Sequence, residues 1–127
     1  MKRTVSTDSA PAAIGPYSQA VEAGGFVFLS GQIPIDPATG ALVQGDTAAQ
    51  AERVMDNLGG VLAAAGLGFQ HVVRTTIYLV DLGDFAAVND AYGRRFAGDP
   101  PARATVQVAA LPKGARVEID AVAFRGA

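Results

Sequence analysis

The sequence predicts an α+β fold in a single domain, with one six-stranded sheet and two helices on one of its faces. Six stretches rich in apolar, β-branched or aromatic residues and two stretches of helical apolar spacing occur in the order β-β-β-α-β-α-β-β. The length of 127 residues suits one compact domain, which we assign to residues 1–127. Two helices cannot cover both faces of such a sheet, so we expect both helices on the same face.

The first half of the chain contains three predicted strands. Residues 3–6 are compatible with a short edge strand, and residues 17–23 and 26–34 read as two strands joined by a hairpin at Gly24-Gly25. The segment 36–46 is rich in Gly and Pro, which is typical of a long loop.

The first helix is predicted to begin at Thr47, with Gln50 as its capping-box partner, and to end at Gly66. Its apolar residues recur at helical spacing: Ala48, Ala51, Val54, Met55, Leu58, Val61, Leu62 and Ala65. Gly59-Gly60 lies inside this helix, where each Gly costs about 1 kcal/mol relative to Ala. A tolerated Gly pair predicts that another part of the chain packs very close to the helix there.

The second half supplies a strand, a helix and two further strands. Residues 71–80 form the predicted strand, Asp84 caps the helix, and Gly98 ends it. The core stripe of this helix is Phe85, Val88, Tyr92 and Phe96. The last strands are predicted at about 103–110 and 116–124.

Composition excludes several kinds of function. The chain has no Cys and a single His, His71, which excludes thiolate catalysis and makes a His-rich metal centre improbable. The net charge of −2 offers no basic footprint for nucleic acid. We see no signal peptide and no apolar run long enough for a membrane helix. These features fit a cytoplasmic protein.

Two charged residues interrupt the apolar strands near the end of the chain. Arg103 opens one strand and Glu118 lies inside the next. Strand alternation puts Arg103 with Thr105 and Gln107, and Glu118 with Asp120. A salt bridge is the structural interpretation. However, a buried pair often fails to recover its desolvation cost, which also favours a functional interpretation.

The spacing limits how Arg103 and Glu118 can meet. A two-residue hairpin loop at Pro112-Lys113 would place Arg103 opposite position 122, about 13 Å from residue 118. Either the two strands are not hairpin neighbours, or the two groups flank a ligand or meet across subunits. We favour the first option, because the segment 109–115 is also long enough to cross to another position in the sheet.

Other candidate site residues also have structural interpretations. Ser30-Gly31 ends an apolar strand, which indicates either a bulge or the close approach of a ligand. Tyr17 is either an ordinary half-buried Tyr or part of a pocket. Asn89 is a poor helix former in mid-helix, which indicates either solvent exposure or a polar role. His71 is interpreted as a surface residue.

Three motifs together resemble those of the Rid family of reactive-intermediate deaminases, in its RidA/YjgF group. They are "IGPYSQAV" (14–21), "FLSGQIPIDPATG" (28–40) and "PARATVQVAALPKGARVEIDAVA" (101–123). The resemblance implies a chorismate-mutase-like fold and a homotrimer whose sheets form a central barrel. It also implies ligand clefts between subunits.

For function, the resemblance implies hydrolysis of 2-imino and enamine acids, such as 2-iminobutanoate and 2-iminopropanoate, to 2-oxo acids and ammonia, without metal or cofactor. This activity protects PLP enzymes from damage. Arg103 aligns with the family's carboxylate-binding arginine and Glu118 with the acid that activates water. The remaining pocket positions match Tyr17, Ser30, Gly31, Asn89 and Thr105, where Thr105 stands at a position that is often Cys.

Two other functions remain as alternatives. One is a ribonuclease or translation inhibitor, an activity also attributed to this family. The other is a non-catalytic trimer that binds small carboxylates or acts like a chaperone. The partners we expect are small 2-imino and 2-oxo acids and further copies of the chain, with no nucleic acid and no membrane.

Overall fold

The computed structural model describes residues 1–126 and confirms the α+β class, with one six-stranded sheet and two α-helices. The helices are α1 (Thr47–Ala64) and α2 (Phe85–Gly93). The strands of the main sheet are β1 (Arg3–Val5), β2 (Ala20–Ala23), β3 (Phe26–Gln32), β6 (Val72–Leu79), β7 (Ala102–Gln107) and β8 (Val117–Phe124). A separate two-stranded ribbon consists of β4 (Ile35–Asp36) and β5 (Ala41–Leu42).

The strand order β1-β2-β3-β8-β6-β7 places the last strand of the chain in the middle of the sheet. β8 is antiparallel to both β3 and β6, while β7 pairs in parallel with β6. The parallel pair requires a crossover, which α2 supplies. β7 and β8 are therefore not hairpin neighbours, as we favoured from the length of the segment between them.

The core lies between the sheet and the two helices. The alternation predicted for β8 is confirmed, because Val117, Ile119, Ala121 and Ala123 are all at most 4% exposed. The largest fully buried side chains of α1 are Met55, Leu58, Leu62, Val54 and Val61. Most of the predicted α1 stripe therefore forms the core. No helix in the described part of the chain has the length and apolar character needed to cross a membrane.

The opposite face of the sheet carries exposed aromatic and aliphatic side chains. Phe26, Phe28 and Phe124 are 38–48% exposed, and the rings of Phe26 and Phe124 lie 4.8 Å apart. Val106 on β7 is 41% exposed on the same face. We call these four residues the open apolar face. Three aromatic side chains exposed together on one face of a sheet commonly mark a contact with another protein.

Several predicted boundaries and caps in the first half were wrong. β2 begins at Ala20, so Tyr17 precedes the strand. The segment predicted as a loop at 36–46 contributes to the β4–β5 ribbon. The N-cap of α1 is Asp46, whose carboxylate accepts from the Ala49 amide, and Gln50 instead accepts from the backbone amide of Arg116. The predicted capping box does not form, because the neighbouring Asp46 caps the helix and the Gln50 side chain binds the Arg116 backbone instead.

The second helix is shorter than the sequence predicted. It ends at Gly93, before Phe96 and Gly98. Asp84 makes no side-chain cap to the helix, because its carboxylate accepts from the Thr47 hydroxyl at 2.8 Å. Phe85 is 37% exposed and so lies outside the core that its position in the stripe predicted.

The Gly59-Gly60 pair does mark two close approaches to α1, as predicted. A Cβ at residue 60 would lie 2.6 Å from the carbonyl oxygen of Ser9, and one at residue 59 would lie 3.2 Å from the ring of Phe69. The first contact involves backbone, which cannot move away as a side chain can. Gly60 therefore lets the segment before β2 lie directly against the helix.

We expect Gly60→Ala to destabilise the fold by about 1–3 kcal/mol, the usual range for overpacking. The measurement is urea unfolding at fixed protein concentration. Gly93→Ala is the matched control, because a Cβ at residue 93 would meet nothing within 4 Å. The control should be neutral or slightly stabilising. Equal stability of Gly60→Ala and wild type would contradict the close approach.

Candidate active site

Arg103 is held on the helix side of the sheet, beneath α2. Its Nη1 donates to Asn89 Oδ1 at 2.7 Å. Its guanidinium carbon lies 5.1 Å from the ring centre of Tyr92 and 5.5 Å from that of Phe85. Cation–π contacts with two rings and one hydrogen bond fix the plane of the guanidinium. Arg103 nevertheless remains exposed, so its other N–H groups are available to a ligand.

Glu118 lies on the opposite face, against a bulge in β3. The β3–β8 register shifts between Leu29 and Gln32, which confirms the bulge interpretation of Ser30-Gly31. The bulge also has a packing purpose, because a Cβ at residue 31 would overlap the Glu118 carboxylate. Gly31 therefore allows the Glu118 side chain to lie flat on the β3 backbone.

A cavity of about 430 Å³ opens in front of Glu118. Most of its lining is apolar, and the side chains that contribute to it include Tyr17, Ile14, Ile33 and Ile35. Burial raises the pKa of the Glu118 carboxyl above its ordinary value of 4.5, and the nearby Asp120 carboxylate raises it further. A carboxyl group with a raised pKa at the wall of a cavity is suited to proton transfer near neutral pH.

Arg103 and Glu118 point to opposite faces within one chain. Thr75 on β6 is paired with both Arg103 on β7 and Ala121 on β8, and Ala121 and Thr75 are buried under the helices. Glu118 pairs with Tyr78, three residues further along β6. Two strand spacings and three residues separate the two backbones by roughly 14 Å.

This separation excludes the salt-bridge interpretation for a single chain. Neither the guanidinium of Arg103 nor the carboxylate of Glu118 forms an ion pair within residues 1–126. The parallel pairing with β6 turns Arg103 toward the helices, whereas Glu118 faces the other side of the sheet. One chain therefore presents two half-sites, which we name the arginine half-site (Arg103, Asn89, Thr105) and the glutamate half-site (Glu118, Gly31, Tyr17).

The other sequence-predicted residues fall into different roles. Tyr17 lines the glutamate cavity and is 52% exposed. The Ser30 hydroxyl donates to the Ser18 carbonyl at 2.6 Å, so it anchors the chain next to Tyr17. The Thr105 hydroxyl is buried and has no hydrogen-bond partner within residues 1–126. His71, which we interpreted as a surface residue, is half-buried, and its Nδ1 accepts from the Gly68 amide at 3.1 Å.

Sequence reasoning missed several residues that build these half-sites. Phe85 and Tyr92 were predicted as core residues, and Tyr92 is one, but the contact of both rings with the Arg103 guanidinium was not predicted. Pro112 and Lys113 were treated only as a turn, but both line the glutamate cavity. An Arg opening a strand directly after an aromatic helix is the signal that could have revealed the stacking.

Comparison with known proteins gives a family. The family model described as Endoribonuclease L-PSP matches residues 7–125. A crystal structure from Yersinia pestis, described as a protein of unknown function of the conserved Rid protein family, has a TM-score of 0.95 and 46% identity over 98% of this chain and 99% of that one. The chain belongs to the Rid family.

Two curated relatives extend the comparison. Protein DfrA of Myxococcus xanthus is 68% identical over 96% of this chain and 95% of its own length. The 2-iminobutanoate/2-iminopropanoate deaminase of Homo sapiens is 51% identical over 99% of this chain and 92% of its own length. The Rid resemblance inferred from the three sequence motifs is thereby confirmed over nearly the whole chain.

We expect Glu118→Gln to unfold at a higher urea concentration than wild type at pH 7. Folding raises the pKa of the Glu118 carboxyl group, so the native state binds this proton more tightly than the unfolded state does. Its contribution to stability is fully present below the unfolded pKa and is lost as the pH rises through the folded value. The advantage of Glu118→Gln should therefore shrink as the pH falls toward 4.5.

The matched control is Asp90→Asn, which neutralises an exposed carboxylate on α2. It should change the urea midpoint little at any pH in this range. A Glu118→Gln protein that is less stable than wild type at pH 7 would contradict the desolvation of Glu118.

Proposed function

We propose that this Rid-family protein hydrolyses 2-imino acids, including 2-iminobutanoate and 2-iminopropanoate, to 2-oxo acids and ammonia. The observation that supports it most directly is the chemistry of the two half-sites. One offers an exposed guanidinium within cation–π distance of two rings, and the other a partly desolvated carboxyl group at a largely apolar cavity. The curated name of the human relative supports the same reaction class.

Arg103 would bind the substrate carboxylate. The planar fork of Arg matches a carboxylate with two parallel hydrogen bonds, and this match fixes the orientation of the adjacent C=N carbon. Asn89 occupies one side of the guanidinium through Nη1, so the carboxylate would approach the remaining N–H groups. Orientation of this kind supplies much of the acceleration for a reaction that needs little bond activation.

Glu118 would act on the water molecule. With the imine nitrogen protonated, the Glu118 carboxylate takes a proton from water as the oxygen attacks the C=N carbon, which gives a neutral carbinolamine. The protonated carboxyl then returns this proton to the amine nitrogen. The C–N bond breaks as the hydroxyl oxygen forms the C=O bond, and the hydroxyl proton passes through the Glu118 carboxylate to the departing ammonia, which leaves the 2-oxo acid, an ammonium ion and the regenerated carboxylate. The raised pKa of Glu118 suits both steps, because the same group must accept and then donate a proton near neutral pH.

A complete site would require a second copy of the chain. Within one protomer the two half-sites face opposite sides of the sheet, so a ligand held by Arg103 cannot reach Glu118 of the same protomer. The glutamate half-site shares its side of the sheet with the open apolar face, since Phe28 pairs with Val122 on the face that carries Glu118. If that face packs against a second copy, the arginine half-site of the second copy would lie at the Glu118 cavity of the first. A cyclic trimer would form three such sites.

We expect Arg103→Ala to lower kcat/KM for 2-iminobutanoate by about 100-fold, because it removes charged hydrogen bonds of about 1.5–3 kcal/mol each. The assay couples ammonia release to a dehydratase that generates the imine. Arg94→Ala is the control, since Arg94 also carries its charge beside α2 but pairs with Glu52 outside both half-sites. Near-wild-type activity of Arg103→Ala would remove the role assigned to Arg103.

A second test asks whether the two groups act across subunits. Arg103→Ala and Glu118→Ala chains, each inactive alone, are co-expressed with different tags and purified as mixed oligomers. Random assembly leaves both groups intact in about a quarter of the sites if each site draws one half from each of two neighbouring chains. We therefore expect activity to return to about a quarter of wild type. Mixed oligomers that stay inactive would show that the site does not combine residues from two chains.

The alternatives make different predictions in the same assays. The family model carries a ribonuclease description, so RNA cleavage by purified protein deserves measurement. Cleavage that disappears in Glu118→Ala would favour that function. Saturable binding of 2-oxobutanoate without acceleration of imine hydrolysis would favour a non-catalytic carboxylate-binding trimer.

A further inference from the structure

The walls of the glutamate cavity are made largely of irregular chain. Pro11 and Ile14 belong to the segment before β2, and Ile33 lies just after β3. Such segments have few ladder hydrogen bonds to fix their position. Each wall therefore needs another source of order if the cavity is to keep one shape.

Gln19 fixes the first wall. It is 4% exposed, and its Nε2 donates to the carbonyls of Thr7, Ala10 and Pro11 at 3.0, 3.3 and 2.7 Å. Its Oε1 accepts from the Thr7 amide at 2.7 Å. One buried side chain thus replaces the backbone partners that this segment lacks. One of its acceptors, the Pro11 carbonyl, belongs to a residue that lines the cavity.

Asn57 fixes the second wall, which contains Ile33 and Ile35. It is fully buried on α1, and its Nδ2 donates to the carbonyls of Ile33 and Ile35 at 3.2 and 3.0 Å. Its Oδ1 accepts from Arg53 Nε at 3.0 Å, which sets the direction of the amide. Asn is a poor helix former and a costly group to bury in a core, so its presence in mid-helix calls for a specific partner.

We propose that Gln19 and Asn57 are positioning residues that hold two walls of the Glu118 cavity in the shape that admits the substrate. Neither touches Arg103 or Glu118, which are carried by strands. Removing either amide should therefore weaken ligand binding while leaving the chemical groups in place. The inference rests on the proposed function, since it concerns access to the same cavity.

The test uses near-isosteric apolar variants, Gln19→Met and Asn57→Leu, which keep packing and remove the hydrogen bonds. A net hydrogen bond shifts an equilibrium by up to roughly tenfold. We expect KM for 2-iminobutanoate to rise by at least about fivefold, with kcat within about twofold of wild type. Val61→Ala is the control, because it removes core contacts one turn from Asn57 and lies outside the cavity. It should lower stability with KM unchanged.

Amide hydrogen exchange on the ligand-free full-length protein supplies a readout that needs no activity. Exchange at the hydrogen-bonded amides of Thr7 and Ile14 should accelerate by about tenfold in Gln19→Met, and exchange at the Ile35 amide should do so in Asn57→Leu, with β6 and β8 unaffected. In Val61→Ala, any acceleration of exchange should extend over the core rather than be restricted to these two walls. If a variant fails to fold, the other variant decides the inference.

The outcomes separate this inference from the proposed function. An active wild type whose two variants keep a wild-type KM would overturn the positioning role alone. A wild type without deaminase activity would overturn the proposed function, and the exchange pattern would then decide whether the amides hold the walls. Unchanged local exchange in both variants would overturn the inference regardless of activity.

Discussion

The parallel pairing of β7 with β6 determines on which faces of the sheet the side chains of Arg103 and Glu118 lie. The crossover through α2 brings β7 to the edge of the sheet in a register that turns Arg103 under Phe85 and Tyr92. β8 enters on the other side of β6, with Glu118 facing away from the helices. A hairpin between β7 and β8 would have given a different arrangement, so the separation of the two groups follows from topology more than from their local sequence.

The charged groups of the two half-sites lie in different electrostatic environments. The guanidinium of Arg103 keeps access to water and is ordered by stacking and by Asn89, which avoids the desolvation cost of a buried ion. Glu118 bears a partial desolvation cost without a paired cation among residues 1–126, and the rise in its pKa follows from that burial and from the neighbouring Asp120 carboxylate. We propose that another copy of the chain covers the open apolar face, and such a contact would bring the two environments together.

Much of the fold was predictable because its signals are local and periodic. The order of the main elements, the alternation in β8 and the close approach at Gly60 all follow from side-chain pattern. The failures have tertiary causes. Gln50 was recruited by the Arg116 backbone, and Phe85 was turned toward Arg103 rather than into the core. The candidate residues could be named from residue type and family motifs, but their division into two half-sites depends on strand order, which no local pattern encodes.

The central position of β8 bears on how the chain folds during synthesis. β8 follows every other strand in sequence, yet it lies between β3 and β6. Until it leaves the ribosome, the β1-β2-β3 meander and the β6-α2-β7 unit have no strand to join them, and each exposes an unpaired edge. The nascent chain is therefore vulnerable to misassociation until β8 has emerged from the ribosome, and chaperone protection would have the greatest effect before that point.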